Sequence, residues 1–80
     1  MIRVRLFAAL RELAGSAELS DLRGRTVGDL TDLLADRYGE RFARVADVSS
    51  FVVNGERASR ETAVADGDEV AILPPVSGGA

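Results

Sequence analysis

The feature that most restricts this chain is a single long stripe of residues at helical period. Val27, Leu30, Leu33, Leu34, Arg37 and Tyr38 follow one another at i, i+3, i+4 spacing, which sets them along one side of a helix. Thr26 precedes the stripe as an N-cap, and Asp29 stands three residues on, where a capping-box acid belongs. Gly39 ends it. The spacing predicts one main helix of about twelve residues, ~18 Å long. A domain of this size buries only roughly 60–65% of its unfolded surface, so the helix must find its cover within the same 80 residues.

That cover is written at period two. Ile2, Val4 and Leu6 share one face of a strand over residues 2–7, and Arg3, Arg5 and Phe7 share the other. Ala8 to Ala14 fits a short helix that buries Leu10, Leu13 and Ala14, with Gly15 as a left-handed stop. Ala17 to Ser20 is a weaker second strand, and Arg23-Gly24-Arg25 reads as loop. After the main helix, Glu40 to Ala46 adds a turn or two with Phe42 and Val45 facing inward. Phe51-Val52-Val53 is a short buried strand, Asn54-Gly55 a hairpin turn whose central residues need positive φ, and Glu56-Arg57-Ala58 the return. Asp66-Gly67 turns into a last strand, Asp68 to Leu73. There Val70 and Ile72 point one way and Glu69, Ala71 and Leu73 the other. This order predicts an α+β fold, a mixed sheet wrapped around one main helix in the ubiquitin-like β-grasp arrangement. Residues 1–75 are expected to form the domain and residues 76–80 a flexible C-terminal diglycine tail.

Composition narrows the chemistry. An apolar fraction of 46% is that of a globular chain. No apolar run approaches the ~18 residues of a membrane span, and the alternating N-terminus does not read as a signal peptide; no membrane association and a cytoplasmic location are expected. Cys and His are both absent, which removes thiolate nucleophiles, sulfur ligands, the usual general base and the commonest metal ligand. No metal site is expected. A net charge of −3 argues against nucleic acid as a partner. Ten Arg stand against no Lys. The plain explanation is a GC-rich genome; the sharper one is a chain that must not acylate itself.

Other polar groups read as ordinary surface. Asp29, Asp32 and Asp36 share one side of the helix without a loop ligand to complete a cation site. Asp66-Gly67-Asp68 lacks the remaining ligands of a calcium loop and reads as a turn, and Glu12 and Glu40 have no catalytic partner. Phe7 is different. By strand parity it faces outward beside Ala71 and Leu73, an apolar patch that is unfavourable in water unless a partner covers it.

The strongest signal is the C-terminus. Pro74 and Pro75 stop the last strand, since neither can donate to a sheet ladder. Beyond them come Val76, Ser77, Gly78, Gly79 and Ala80. Two prolines stiffen and extend the chain, and residues without side chains can thread a narrow channel. The activity would then reside on a C-terminal carboxylate rather than on any side chain.

The stretch from Asp66 to Gly79 closely resembles the end of the small, sulfur-carrying subunit of molybdopterin synthase, in the MoaD/ThiS family of ubiquitin-like sulfur carriers. Leu6-Phe7-Ala8, Arg11 to Gly15, Thr26-Val27 and Val53-Asn54 agree with that family as well. The resemblance implies that the chain is a non-catalytic carrier in molybdenum cofactor biosynthesis. A ubiquitin-activating-like adenylyltransferase uses ATP to adenylate the terminal glycine, and sulfur converts it to a thiocarboxylate. The tail then enters the large catalytic subunit of molybdopterin synthase, which receives the sulfur. No cofactor is bound by this chain itself. Carried over, Gly79 holds the adenylate and thiocarboxylate, while Phe7, Leu73, Pro75, Val76, Ser77 and Gly78 contact partners. Ala80 departs from the family pattern, whose mature form ends at glycine; the resemblance therefore calls for a peptidase that removes Ala80, or for Ala80 to be an added residue. Carriers for thiamine, cysteine or another sulfur pathway are the alternatives, as is a ubiquitin-like modifier or interaction module.

Overall fold

The computed structural model describes residues 1–75. Five strands make one mixed sheet. They are β1 (Ile2–Leu6), β2 (Glu18–Leu22), β3 (Ser50–Val53), β4 (Glu56–Ala58) and β5 (Glu69–Leu73), in the spatial order β2-β1-β5-β3-β4. Among the described residues three helices complete it: α1 (Ala8–Ala14), α2 (Val27–Tyr38) and α3 (Glu40–Asp47). Strand β1 runs parallel to β5, with Arg5 beside Ala71 and Leu6 beside Ile72. The pairs β1–β2, β3–β5 and β3–β4 are antiparallel. The α+β class and the order of elements are those expected from the sequence.

One face of the sheet meets the helices. Ile2, Val4 and Leu6 of β1 and Val70 and Ile72 of β5 lose essentially all contact with water, joining Leu10, Val27, Leu30, Leu34, Phe42 and Ala46 in one cluster. Each large aliphatic side chain so buried contributes roughly 1.5–3 kcal/mol. Leu13 and Ala14 are only half-buried, packed at the cluster's margin. Tyr38 and Phe42 stack obliquely across the α2–α3 junction, 5.5 Å between ring centroids.

Leu33 corrects the expected stripe: it is 46% exposed, while Thr31 is buried at 3%. At about 3.6 residues per turn, Leu33 lies a third of a turn off the line through Val27, Leu34 and Tyr38, whereas Thr31 falls within it. Burial of the Thr31 hydroxyl carries little penalty because it donates to the Val27 carbonyl oxygen at 2.9 Å. Arg37 is exposed as well and pairs with Asp21 at 3.4 Å. The second strand is longer than expected, because a bulge between Ile2 and Val4 lets β2 continue to a buried Leu22.

The start of α2 is doubly held. Thr26 Oγ1 accepts from the Asp29 amide at 3.1 Å and Asp29 Oδ2 accepts from the Thr26 amide at 3.2 Å, the expected reciprocal cap. The segment after β4 supplies two more acceptors. The Val27 amide donates to Thr62 O at 3.0 Å, and the Gly28 amide to Arg60 O at 2.8 Å. Gly28 permits this approach, since a Cβ there would lie 3.2 Å from that same oxygen. Arg60 then reaches back to Asp32 at 3.0 Å.

Candidate functional site

The last strand is the middle of the sheet. Hydrogen-bonded to β1 on one side and β3 on the other, β5 carries the chain to its exit at Pro74-Pro75 on a rigid base. Its start is equally fixed. Asn54 takes positive φ (50°) and Gly55 φ 84°, as the hairpin demands. The Asn54 side chain accepts from the Glu69 amide and donates to Asp68, both at 2.9 Å. That hydrogen bond from Asn54, and then one from the Ala65 amide, hold the Asp68 carboxyl below its ordinary pKa.

At the exit, Leu73 is half-buried and Pro75 exposed. Leu73 pairs with Ser50 of β3, and the β1–β5 pairing ends one residue before Phe7 and Leu73, at Leu6 and Ile72. Phe7 is half-buried on the outer face, as its parity requires. Its backbone is still extended (φ −128°, ψ 153°), and it serves as the residue before α1. The Arg5 guanidinium sits 5.5 Å from the ring centroid, a contact of about 0.5–1 kcal/mol at an exposed site. Ala8 follows with φ 51°, a left-handed conformation that costs a residue with a Cβ roughly 1–2 kcal/mol. The turn that presents Phe7 is thus held at some energetic cost. Ala71 and Val52, paired across β3–β5, are half-buried and extend the patch. The expected burial of Phe51-Val52-Val53 holds for Phe51 alone: Val52 and Val53 are half-buried, and alternation turns Val52 to the outer face beside Ala71. The remaining expected site residues, Val76, Ser77, Gly78 and Gly79, lie outside the described residues, as does Ala80.

Among the described residues no group of three or more His, Cys, Asp or Glu is placed to hold a metal ion. An open groove of about 570 Å³ lies between α2 and α3. Its Thr31 hydroxyl donates to Val27, and its Asp32 and Glu40 pair with Arg60 and Arg44. Asp29 is occupied in the helix cap. No helix among the described residues is long and apolar enough to cross a membrane. What the geometry offers is a rigid small domain, one face half-apolar, with the C-terminal segment leaving from the centre of its sheet. That is a ubiquitin-like β-grasp protein.

The pattern that defines the ThiS family matches residues 4–79. The chain belongs to the ThiS family, whose members are ubiquitin-like sulfur carriers. Small archaeal modifier protein 1 of Haloferax volcanii is 42% identical, over 94% of this chain and 97% of the relative. The molybdopterin synthase sulfur carrier subunit of Arabidopsis thaliana is 37% identical, over 98% of this chain and 82% of the relative. Among solved structures, the BexX/CysO complex of Amycolatopsis orientalis contains a chain that superposes with a TM-score of 0.80 at 28% identity, covering 99% of this chain and 100% of that one.

Proposed function

We propose that this chain carries sulfur on Gly79 for molybdopterin synthesis, in the cytoplasm, and supplies no catalytic group of its own. The observation that carries the reading is the span of the family match, which runs to Gly79 and leaves Ala80 outside it. Removal of Ala80 by a peptidase, or its absence from the native protein, exposes the Gly79 carboxylate. A ubiquitin-activating-like adenylyltransferase then joins that carboxylate to AMP from ATP. The outer sulfur of a persulfide donor attacks the acyl adenylate and expels AMP, giving an acyl disulfide. A second thiol then attacks the donor's sulfur, is oxidised with it to a disulfide and releases the thiocarboxylate, a nucleophile installed on a chain that has neither Cys nor His. Pro75, Val76, Ser77 and Gly78 lead the terminus into the large catalytic subunit of molybdopterin synthase, and Phe7 and Leu73 dock against that subunit. Two charged carriers then supply the two sulfurs of the dithiolene on cyclic pyranopterin monophosphate. The relatives named as molybdopterin synthase sulfur carrier subunits support this assignment.

The thiocarboxylated chain, mixed with the large synthase subunit and that precursor, should yield the dithiolene product. Turnover by a cysteine-forming or thiazole-forming acceptor enzyme in its place would move the chain to another sulfur pathway. Protein modification is a second reading, favoured by the 42% identity to a small archaeal modifier protein. It predicts amide-linked conjugates of the native chain on other proteins.

A further inference from the structure

The ten arginines, with no lysine, remain unexplained by the fold. Arg3 offers one nitrogen to both Glu18 and Glu69, at 3.7 Å each. Arg44 offers one to Glu40 at 3.5 Å and Arg60 one to Asp32 at 3.0 Å. Among the described residues only Arg37 approaches a carboxylate with two nitrogens, at 3.5 and 3.4 Å from Asp21, on a well-solvated surface. An ammonium on a lysine stem would serve these single-nitrogen contacts as well as a guanidinium. Arg5 over Phe7 and Arg37 over Tyr38 make stacked contacts that suit a guanidinium; at the other positions the property that separates the two residues is nucleophilicity. A lysine side chain, with an ordinary pKa of about 10.4, has an accessible free amine, and the far more basic guanidinium does not.

We propose that lysine is excluded so that the activated C-terminus of one copy cannot acylate another: the chain is an acyl donor and never an acyl acceptor. The inference rests on the reading that the Gly79 carboxylate is activated. In adenylation the carboxylate oxygen attacks the α-phosphorus of ATP and pyrophosphate leaves. A free amine attacking that mixed anhydride would form a C–N bond, expel AMP with the electron pair of the broken C–O bond, and lose its proton to solvent. The carrier would be consumed as a dead-end amide. The primary amine present in these 80 residues is the α-amino group of Met1. It lies 3.4 Å from Asp66, at the end of the parallel β1–β5 pair opposite the exit of β5. At ~3.3 Å per strand residue that separation is about 20 Å along the sheet.

The test needs no activating enzyme, so its failure would leave the carrier reading standing. The chain ending at Gly79 is prepared as a C-terminal thioester by thiol cleavage of an intein fusion. The same is done for Arg23→Lys and Arg44→Lys, at exposed positions away from the outer face. Concentrated samples are held at mildly alkaline pH and followed by intact mass, with unfolding midpoints measured in parallel. The native sequence should lose its thioester to hydrolysis alone. Both lysine variants should keep the native midpoint and accumulate amide-linked dimer at the expense of the free acid. Amide-linked dimer or a head-to-tail cycle from the native sequence would overturn the proposal. So would hydrolysis alone in both lysine variants, which would leave genome composition as the reason for arginine.

Discussion

The two faces of the central strands have opposite characters. On the inner face Ile2, Val4, Leu6, Val70 and Ile72 are each at most 1% exposed. On the outer face of the same strands Arg3 and Arg5 are exposed, and Glu69, Ala71 and Leu73 only half-buried, with Phe7 at the end. Alternation forces this division, because successive side chains of a strand point to opposite sides. Stability is thereby concentrated on one face, leaving the other free for recognition. Substitutions on the two faces should therefore separate folding from binding.

The largest effect should come from the inner face. Leu30 is fully buried in α2, and Leu30→Ala should cost roughly 2–5 kcal/mol of unfolding free energy. Leu33→Ala, one turn along the same helix but on its exposed side, should change it by less than about 0.5 kcal/mol. Equal losses in chemical denaturation would erase the distinction. Thr26→Ala, which opens the capping box, should fall between them at about 1 kcal/mol.

The outer face should behave in reverse. Phe7→Arg should leave the unfolding free energy within about 1 kcal/mol of native, because the ring is half-exposed, yet weaken the proposed complex with the large synthase subunit. An interface of that kind buries on the order of 1,200–2,000 Å², and calorimetric titration would detect the loss. Unchanged affinity would remove Phe7 from the interface.

The smallest effect lies at the start of β5. Asp68 has its pKa lowered by Asn54 and by the Ala65 amide. Its contribution to stability is therefore complete above the ordinary carboxylate pKa of about 3.9 and is lost as pH falls through the lower, folded value. Asp68→Asn should flatten the acid side of a plot of unfolding midpoint against pH below ~4, without steepening it near neutrality. A steeper acid limb would contradict the assignment.

Much of this division was legible before any coordinates. Period two in Ile2–Phe7 and Glu69–Leu73 separates the faces without knowing what covers them. The Thr26–Asp29 cap and the Asn54-Gly55 turn are local chemistry that tertiary packing did not override. Leu33 and Thr31 were not legible, because a stripe of hydrophobic residues does not fix the centre of the buried arc. Neither was the clasp of Arg60 on Gly28 and Asp32, since those partners are far apart in sequence and share no local pattern. At the exit, Phe7 and Leu73 followed from parity, while Ala8 gives no sign in its side chain of the positive φ it adopts.

The central claim is that the reactive group is the carboxylate of Gly79. Intact mass spectrometry tests it directly on three forms: the 80-residue chain, one ending at Gly79 and one ending at Gly78. Each is incubated with the cognate activating enzyme, ATP and a persulfide donor. The form ending at Gly79 should gain the mass difference of one oxygen replaced by one sulfur. The 80-residue chain should gain it only after a peptidase has removed Ala80, and the form ending at Gly78 should not gain it. Sulfur on the uncleaved chain, or none on the form ending at Gly79, would contradict the account.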